Sequence, residues 1–143
     1  MAKEIILNNS QFGRVFIEEN KIITFPQGII GFEDLKRYAI LVFEEYQPFQ
    51  FLISVEDPEI SFPVMSPILV NESYSPNISK DEVSLIGDFK DEDLIMYVIV
   101  SIKGDITGVT ANLKGPIIIN QVERLGQQII LESEEYLLDE KLF

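Results

Sequence analysis

Short runs of β-branched residues, separated by residues that break secondary structure, constrain this chain more than any other feature. Residues 110–131 show the pattern: Ile117–Ile119 and Ile129–Leu131 are aliphatic runs, and Gly115-Pro116 precedes the first of them. Because proline lacks a backbone N–H and has a fixed φ, Gly115-Pro116 is expected to end one strand and begin the next. Runs this short predict buried strands rather than helices.

The same pattern predicts strands through most of the chain. The longest apolar run, Leu94–Ile102, is predicted to be a central strand. The segment containing Pro63 and Pro67 is predicted to hold edge strands or strand ends, because proline cannot donate to a ladder. The other predicted strands are Val15–Ile17 and Ile22–Phe25 (a hairpin around residues 18–21), Tyr38–Phe43, Phe49–Val55 and Val109–Leu113 (entered by a turn at 104–108).

Helical signals are few. Ser79 and Glu82 have the spacing of a capping box, which predicts a short helix through Ile86 that ends at Gly87. A helical turn is also expected at Phe32–Arg37, where carboxylates precede cations. The prediction is therefore a mainly β fold: a single small antiparallel β-barrel-like domain over residues 1–143, with one or two short helices. The acidic residues after about 131 either pack on this domain or form a less-ordered tail.

Composition excludes several classes of function. The 143 residues include no cysteine and no histidine, which excludes thiolate nucleophiles, Cys/His zinc sites and imidazole bases. We therefore expect no catalytic residue, metal or cofactor. Eleven Lys and Arg face 24 Asp and Glu, giving a net charge of -13. Direct binding of nucleic acid is disfavoured by this charge, whereas encounter with a basic protein is favoured. The alternative interpretation is that the acidity serves solubility alone, which is the commoner role of a high net charge.

Neither an export signal nor a membrane span is predicted. The N-terminal apolar run, Ile5–Leu7, is far shorter than the roughly 7–15 residues of a secretory signal. Apolar runs elsewhere are also shorter than the roughly 18 residues of a membrane span. We therefore expect a cytoplasmic protein that does not contact membranes.

Two motifs admit a chemical interpretation and a structural one. The Gly28–Gly31 segment matches the GXXG loop that clamps nucleic acid, but a turn with positive φ at the glycines fits its context better. Clustered carboxylates at Glu44-Glu45 and Asp91–Asp93 are typical of solvated turns. The alternative function is a carboxylate-dependent hydrolase or a small-molecule-binding β-barrel. It requires a pocket that holds at least two carboxyl groups with raised pKa values.

Two separated motifs resemble those of a known family. Residues 23–32 read ITFPQGIIGF and residues 110–120 read TANLKGPIIIN, followed by Arg124–Gln128. Together they resemble the flagellar assembly factor family, FliW. The resemblance implies a non-enzymatic cytoplasmic protein that binds flagellin and antagonises CsrA, a basic RNA-binding translational regulator. Such a protein couples the level of flagellin to the translation of flagellin.

Candidate interface residues follow from the motifs and from charge. Polar members of the motifs and two residues of the glycine loop are the first group, and each has a structural alternative as a core, turn or ion-pair residue. Acidic turns are the second group, as candidates for contact with CsrA. The first group comprises Ile30, Phe32, Asn112, Asn120, Arg124 and Gln127, and the second comprises Glu44, Glu45, Asp91, Glu92 and Asp93.

Overall fold

The computed structural model describes residues 3–104 and 108–142, so residues 105–107 of the predicted turn at 104–108 lie outside the described residues. The described residues form strands and short 3-10 helices. The strands are β1 (Glu4–Asn9), β2 (Gly13–Glu18), β3 (Ile23–Thr24), β4 (Arg37–Leu41), β5 (Gln50–Ser54), β6 (Ser61–Met65), β7 (Leu94–Ile102), β8 (Val109–Ala111), β9 (Ile117–Asn120), β10 (Leu125–Gln128) and β11 (Glu140–Lys141). The 3-10 helices are Glu19–Lys21, Glu44–Tyr46, Pro67–Leu69, Lys80–Val83 and Asp91–Asp93.

The main sheet closes into a ring, which confirms the predicted β-barrel-like class. Nine strands follow the order β11-β8-β7-β6-β5-β4-β3-β10-β9, and a further pairing joins β7 to β9. The strand pairs are antiparallel except β3 with β10, which run parallel through a single residue pair. A separate hairpin, β1–β2, packs its Leu7, Val15 and Ile17 side chains on β4 and β5.

The predicted hairpin around residues 18–21 is wrong. β2 pairs with β1, and β3 pairs with β4 and β10. The turn that closes the observed hairpin begins at Asn9, whose Oδ1 accepts the N–H groups of Gln11 and Phe12 at 2.7 and 2.8 Å. Gly13 completes the turn with φ of 74°. The Asn9 side chain bonds two amides of this turn, and a left-handed glycine follows it. These features favour a reversal here over the predicted one at residues 18–21.

The strand predicted at Ile129–Leu131 is displaced. The observed strand β10, Leu125–Gln128, ends in the polar residues Gln127 and Gln128 and pairs with β9. Arg124 adopts φ of 56°, and this left-handed residue reverses the chain directly after β9. Ile129 and Leu131 are buried beyond the strand, and their N–H groups donate to Pro116 and Lys114. The aliphatic pattern therefore predicted burial correctly for Ile129 and Leu131, whereas Ile130 is 49% exposed and the run lies outside the observed strand.

β7 forms over Leu94–Ile102, as predicted, and two prolines limit its pairing with β6. β6 lies between β5 and β7, so the prediction of an edge strand is wrong here. The β6–β7 ladder consists of Val64↔Ile99 and Met65↔Val98. Pro63 precedes it and Pro67 follows it, and neither can donate an N–H to β7. The prediction of a strand end is therefore right.

The capping box forms, although the helix that follows is shorter than predicted. Ser79 Oγ accepts the Glu82 N–H at 3.4 Å, and Glu82 Oε1 accepts the Ser79 N–H at 3.1 Å. The helix is the 3-10 turn Lys80–Val83, and Gly87 has φ of 72°. The helical turn expected at Phe32–Arg37 is reduced to a single hydrogen-bonded turn, in which the Leu35 N–H donates to the Phe32 carbonyl at 3.1 Å. Glu56 accepts the N–H groups of Lys36 and Arg37, which holds the start of β4 extended.

The C-terminal residues return to the sheet. β11 pairs with β8, and Leu113 donates its N–H to the Leu137 carbonyl at 3.0 Å. Tyr136 is buried, with its ring 4.6 Å from that of Tyr74 and its hydroxyl accepting the Ser75 N–H. In the described part of the chain, no helix has the length and apolarity needed to cross a membrane.

Candidate partner-binding surface

Asn120 is fully buried and holds two loops together. Its Nδ2 donates to the carbonyls of Ile86 and Asp88 at 2.8 and 3.0 Å. Its Oδ1 accepts the N–H groups of Val122 and Glu123 at 3.1 and 3.2 Å. All four hydrogen-bonding positions of the amide are therefore used within the fold. A partner reaches this side chain only if the surrounding loops move.

Two other motif residues also bond to the backbone. Asn112 is half-buried, and its Oδ1 accepts the Lys114 N–H at 3.1 Å, which shapes the turn before Gly115. Arg124 is exposed, and its Nη1 donates to the Asn20 carbonyl at 2.8 Å. Its guanidinium lies on the wall of a polar concavity of about 550 Å³ that also includes Arg37. Asn112 remains partly accessible, and Arg124 fully so.

The structure brings Ile30 and Gln127 together at a small concavity of about 410 Å³. Gly28 and Gly31 have φ of 67° and 89°, which confirms the expected turn and projects Ile30 outward, 56% exposed. Gln128 fixes the loop, since its Oε1 accepts the Ile30 N–H at 3.0 Å. Gln127 joins the other wall, where its Oε1 accepts the Leu85 N–H and its Nε2 donates to Glu82. We call this surface the glycine-loop patch.

Phe32 lies at the base of the same loop. Its ring is half-buried and meets the Phe62 ring edge-on, with centroids 5.0 Å apart. The side chain is therefore a support for the loop, and Ile30 is the apolar group that the loop presents to solvent. The pKa of Glu33 is held below its usual range because its carboxylate accepts the Gly31 N–H at 3.1 Å, so the loop also carries a fixed negative charge.

The two acidic turns directly precede, in the sequence, residues that line a groove of about 620 Å³. The helix Glu44–Tyr46 directly precedes Gln47 and Pro48 on one wall, and the helix Asp91–Asp93 directly precedes Leu94 on another. Glu44, Glu45, Asp91 and Glu92 are exposed, and Asp93 is half-buried with its Oδ2 accepting the Lys90 N–H. We call this surface the acidic groove.

Apolar side chains line the acidic groove. Ile68 and Leu69 are 58% and 61% exposed, and they face the first half of β7. Pro48, Pro67 and Pro76 line the walls with them. Ile68 and Leu69 were not among the interface residues predicted from the sequence. Their position directly after Pro67 is nevertheless a signal that two apolar residues leave the sheet there. An apolar floor between charged rims is the anatomy of a protein-binding surface.

The hydrolase hypothesis requires carboxyl groups with raised pKa values, but the carboxyl groups whose pKa clearly departs from its ordinary value are both lowered. Glu33 and Glu56 have lowered pKa values, chiefly because each accepts a backbone N–H, from Gly31 and Lys36 respectively. Raised pKa values occur at tyrosines, where burial disfavours the phenolate: Tyr38, Tyr74 and Tyr97. Residues 3–104 and 108–142 also contain no group of three or more acidic side chains arranged to hold a metal ion.

Comparisons with known proteins agree on one family. The family model described as "FliW protein" matches residues 6–142. The flagellar assembly factor FliW of Natranaerobius thermophilus is 38% identical over 138 residues, covering 96% of this chain and 91% of that protein. The corresponding protein of Thermosipho africanus is 35% identical over 135 residues, covering 94% and 93%. A crystal structure of the flagellar assembly factor FliW superimposes with a TM-score of 0.89, at 31% identity and 97% coverage of both chains.

Proposed function

Because this chain belongs to the FliW family of flagellar assembly factors, we propose that it acts as a single-domain, non-enzymatic binding protein in the cytoplasm. Its proposed partners are flagellin and CsrA, the basic RNA-binding regulator of flagellin translation. Free protein binds CsrA and relieves repression, whereas accumulated flagellin captures the protein and leaves CsrA free to repress. Flagellin level is thereby coupled to flagellin translation.

The observation that carries the CsrA part of the proposal is the acidic groove. None of the acidic residues Glu44, Glu45 and Asp91–Asp93 lines the groove itself, but they stand in the turns next to its lining residues Gln47 and Leu94, in a chain whose net charge is -13. A basic partner is steered to such a surface, which raises the association rate more than it changes the final affinity. The apolar floor at Ile68 and Leu69 supplies the buried contact that charge alone does not give.

The glycine-loop patch is the proposed flagellin surface. Ile30 is an exposed apolar anchor on a loop that is fixed by two left-handed glycines and by the bond from its N–H to Gln128. A preformed loop loses little conformational entropy on binding, so its apolar contact is converted efficiently into affinity. Gln127 adds a polar group at the other wall of the patch.

Calorimetry with purified CsrA and purified flagellin tests the proposal. We expect a complex with each partner, a CsrA complex that weakens at high salt, and no CsrA binding once flagellin is bound. Absence of both complexes at micromolar concentrations would show that the proposal is wrong.

Matched variants assign the two surfaces. Neutralising Glu44, Glu45, Asp91 and Glu92 (to Gln, Gln, Asn and Gln) should slow CsrA association by about tenfold at low salt. The control neutralises four exposed carboxylates elsewhere, Glu4, Glu18, Glu19 and Glu123, with the same change in net charge. If the control slows CsrA association as strongly, the acidic groove is not the CsrA surface.

For flagellin, Ile30→Asp should weaken binding by about 1–3 kcal/mol, since it removes an apolar anchor. Val42→Asp is the control, because Val42 is 57% exposed against 56% for Ile30 and lies on a different surface. Equal losses in the two variants would remove the glycine-loop patch from the proposal.

A further inference from the structure

The acidic groove contains a strand edge that β6 leaves unpaired. The β6–β7 register of Val64↔Ile99 and Met65↔Val98 would, if extended, place Pro67 opposite Met96. Proline has no N–H to donate, so the ladder cannot continue through this position. The chain instead turns away as the 3-10 helix Pro67–Leu69, and this divergence opens the groove.

The backbone of Met96 points into that opening. On its other side β7 pairs with β9, and the Gln121 N–H donates to the Asp93 carbonyl at 3.0 Å. Antiparallel ladders alternate, so Ile95 and Tyr97 bond to β9, whereas the N–H and C=O groups of Leu94 and Met96 point away from it. The Leu94 N–H donates to the Asp91 carbonyl at the end of the 3-10 helix Asp91–Asp93, so Met96 supplies the donor of this edge. No strand pairs with β7 along that edge at residues 94–97 in the part of the chain that the structure describes.

We propose that the acidic groove binds an extended, basic segment of a partner protein as an additional strand on β7. Free backbone groups on a strand edge are satisfied by an extended chain, whereas a helix has no free groups along its length to offer them. The apolar side chains of Ile68 and Leu69 receive alternate side chains of the added strand, and the acidic rims receive Lys or Arg. Residues 94–97 span about 13 Å, enough for four residues of partner strand.

This inference rests on the proposed function only for the identity of the natural partner, CsrA. The recognition mode is a separate statement about β7, and a defined peptide tests it independently. The probe is an acetylated nine-residue peptide of alternating Lys and Val. One control has Glu in place of Lys, and the other has Pro at the central position, which removes a backbone donor.

Amide hydrogen exchange, resolved by residue, is the readout. With saturating Lys/Val peptide, exchange of the Met96 amide should slow by at least about tenfold. The amides of Ile95 and Tyr97 already bond to β9 and serve as internal controls, with no expected change. Neither control peptide should protect Met96 at the same concentration. The CsrA complex should protect the same Met96 amide.

The two failures are distinguishable. If CsrA binds and Met96 stays unprotected, strand addition is wrong although the proposed function stands. If CsrA does not bind, the CsrA part of the proposed function fails and the peptide tests the inference. Protection of Met96 by the Lys/Val peptide then supports the inference, and the absence of protection overturns it. Equal protection of Met96 by the Glu/Val peptide also overturns the inference, because the acidic turns would then not distinguish a basic strand from an acidic one. Leu69→Asp, at an exposed position, should abolish peptide protection without unfolding the chain.

Discussion

Replacement of Asn120 with aspartate keeps the shape of the side chain and removes both of its donors. The Oδ1 oxygen still accepts the N–H groups of Val122 and Glu123, but a carboxylate oxygen now faces the carbonyls of Ile86 and Asp88. Two hydrogen bonds are lost, at about 1 kcal/mol each, and a buried charge is left opposite two carbonyl dipoles. We expect a total loss of about 3–5 kcal/mol in the free energy of unfolding at pH 7.5.

The loss should depend on pH in a defined direction. Burial raises the folded-state pKa of the introduced carboxyl above its unfolded value of about 3.9. Its stabilising contribution is therefore fully present below the unfolded pKa and is lost as pH rises through the folded pKa. The protonated acid also donates to one of the two carbonyls and recovers about one hydrogen bond. The deficit relative to the parent protein should consequently be smaller at pH 5 than at pH 7.5.

Urea denaturation followed by far-ultraviolet circular dichroism measures both effects. The control is Asn112→Asp, in the same motif, where a half-buried side chain uses its Oδ1 to accept one N–H and the aspartate keeps that acceptor. We expect the control to cost less than about 1 kcal/mol. A deficit below about 1 kcal/mol for Asn120→Asp at pH 7.5, or the same deficit at both pH values, would refute the reasoning.

Two further predictions concern the core. In Gly126→Ala the added Cβ would lie 2.5–2.8 Å from ring atoms of the fully buried Phe25, so urea denaturation should show a loss of about 1–3 kcal/mol in the free energy of unfolding. Replacing the ring in Phe25→Leu should make the Gly126→Ala substitution less costly. If the losses of the two single variants simply add in the double variant, the clash is contradicted. In Tyr38→Phe a fully buried hydroxyl without a hydrogen-bond partner is removed, so we expect a gain of about 1 kcal/mol. Burial raises the Tyr38 pKa to about 12, above its unfolded value of about 10. The parent protein should therefore lose stability as pH rises from about 10 towards 12. Urea denaturation at alkaline pH should show a smaller loss for Tyr38→Phe.

Local sequence determined the elements whose signals were strong over several residues. The nine residues of β7 are apolar almost throughout, and the observed strand has the predicted bounds. The capping box likewise needs only Ser79 and Glu82, and it forms. β10 could not be predicted in this way because its polar side chains find partners far along the chain. Gln128 bonds to Ile30 across 98 positions, and Gln127 bonds to Leu85 across 42.

For the acidic groove, too, the local features were predictable from the sequence and the long-range ones were not. Both acidic turns were visible in the sequence, but nothing local shows that Glu44-Glu45 and Asp91–Asp93 border one groove. Their position next to the same groove depends on how β6 pairs with β7, and Pro63 and Pro67 limit that ladder to two residue pairs. The prolines themselves were recognised as breaks in pairing. What they create, an unpaired strand edge, follows only once the partner residues are known.

Motif residues and accessible residues therefore require different experiments. Asn120 and Gln127 bond to the backbone of distant segments, so their replacement weakens the fold together with any interface. Loss of partner binding in such a variant does not place the residue at the interface unless the variant keeps its stability. Ile30 and Leu69 expose more than half of their side chains, so their replacement changes binding at little cost in stability. Variants at these exposed positions separate recognition from folding, and the conserved shape of the fold need not be disturbed to test either surface.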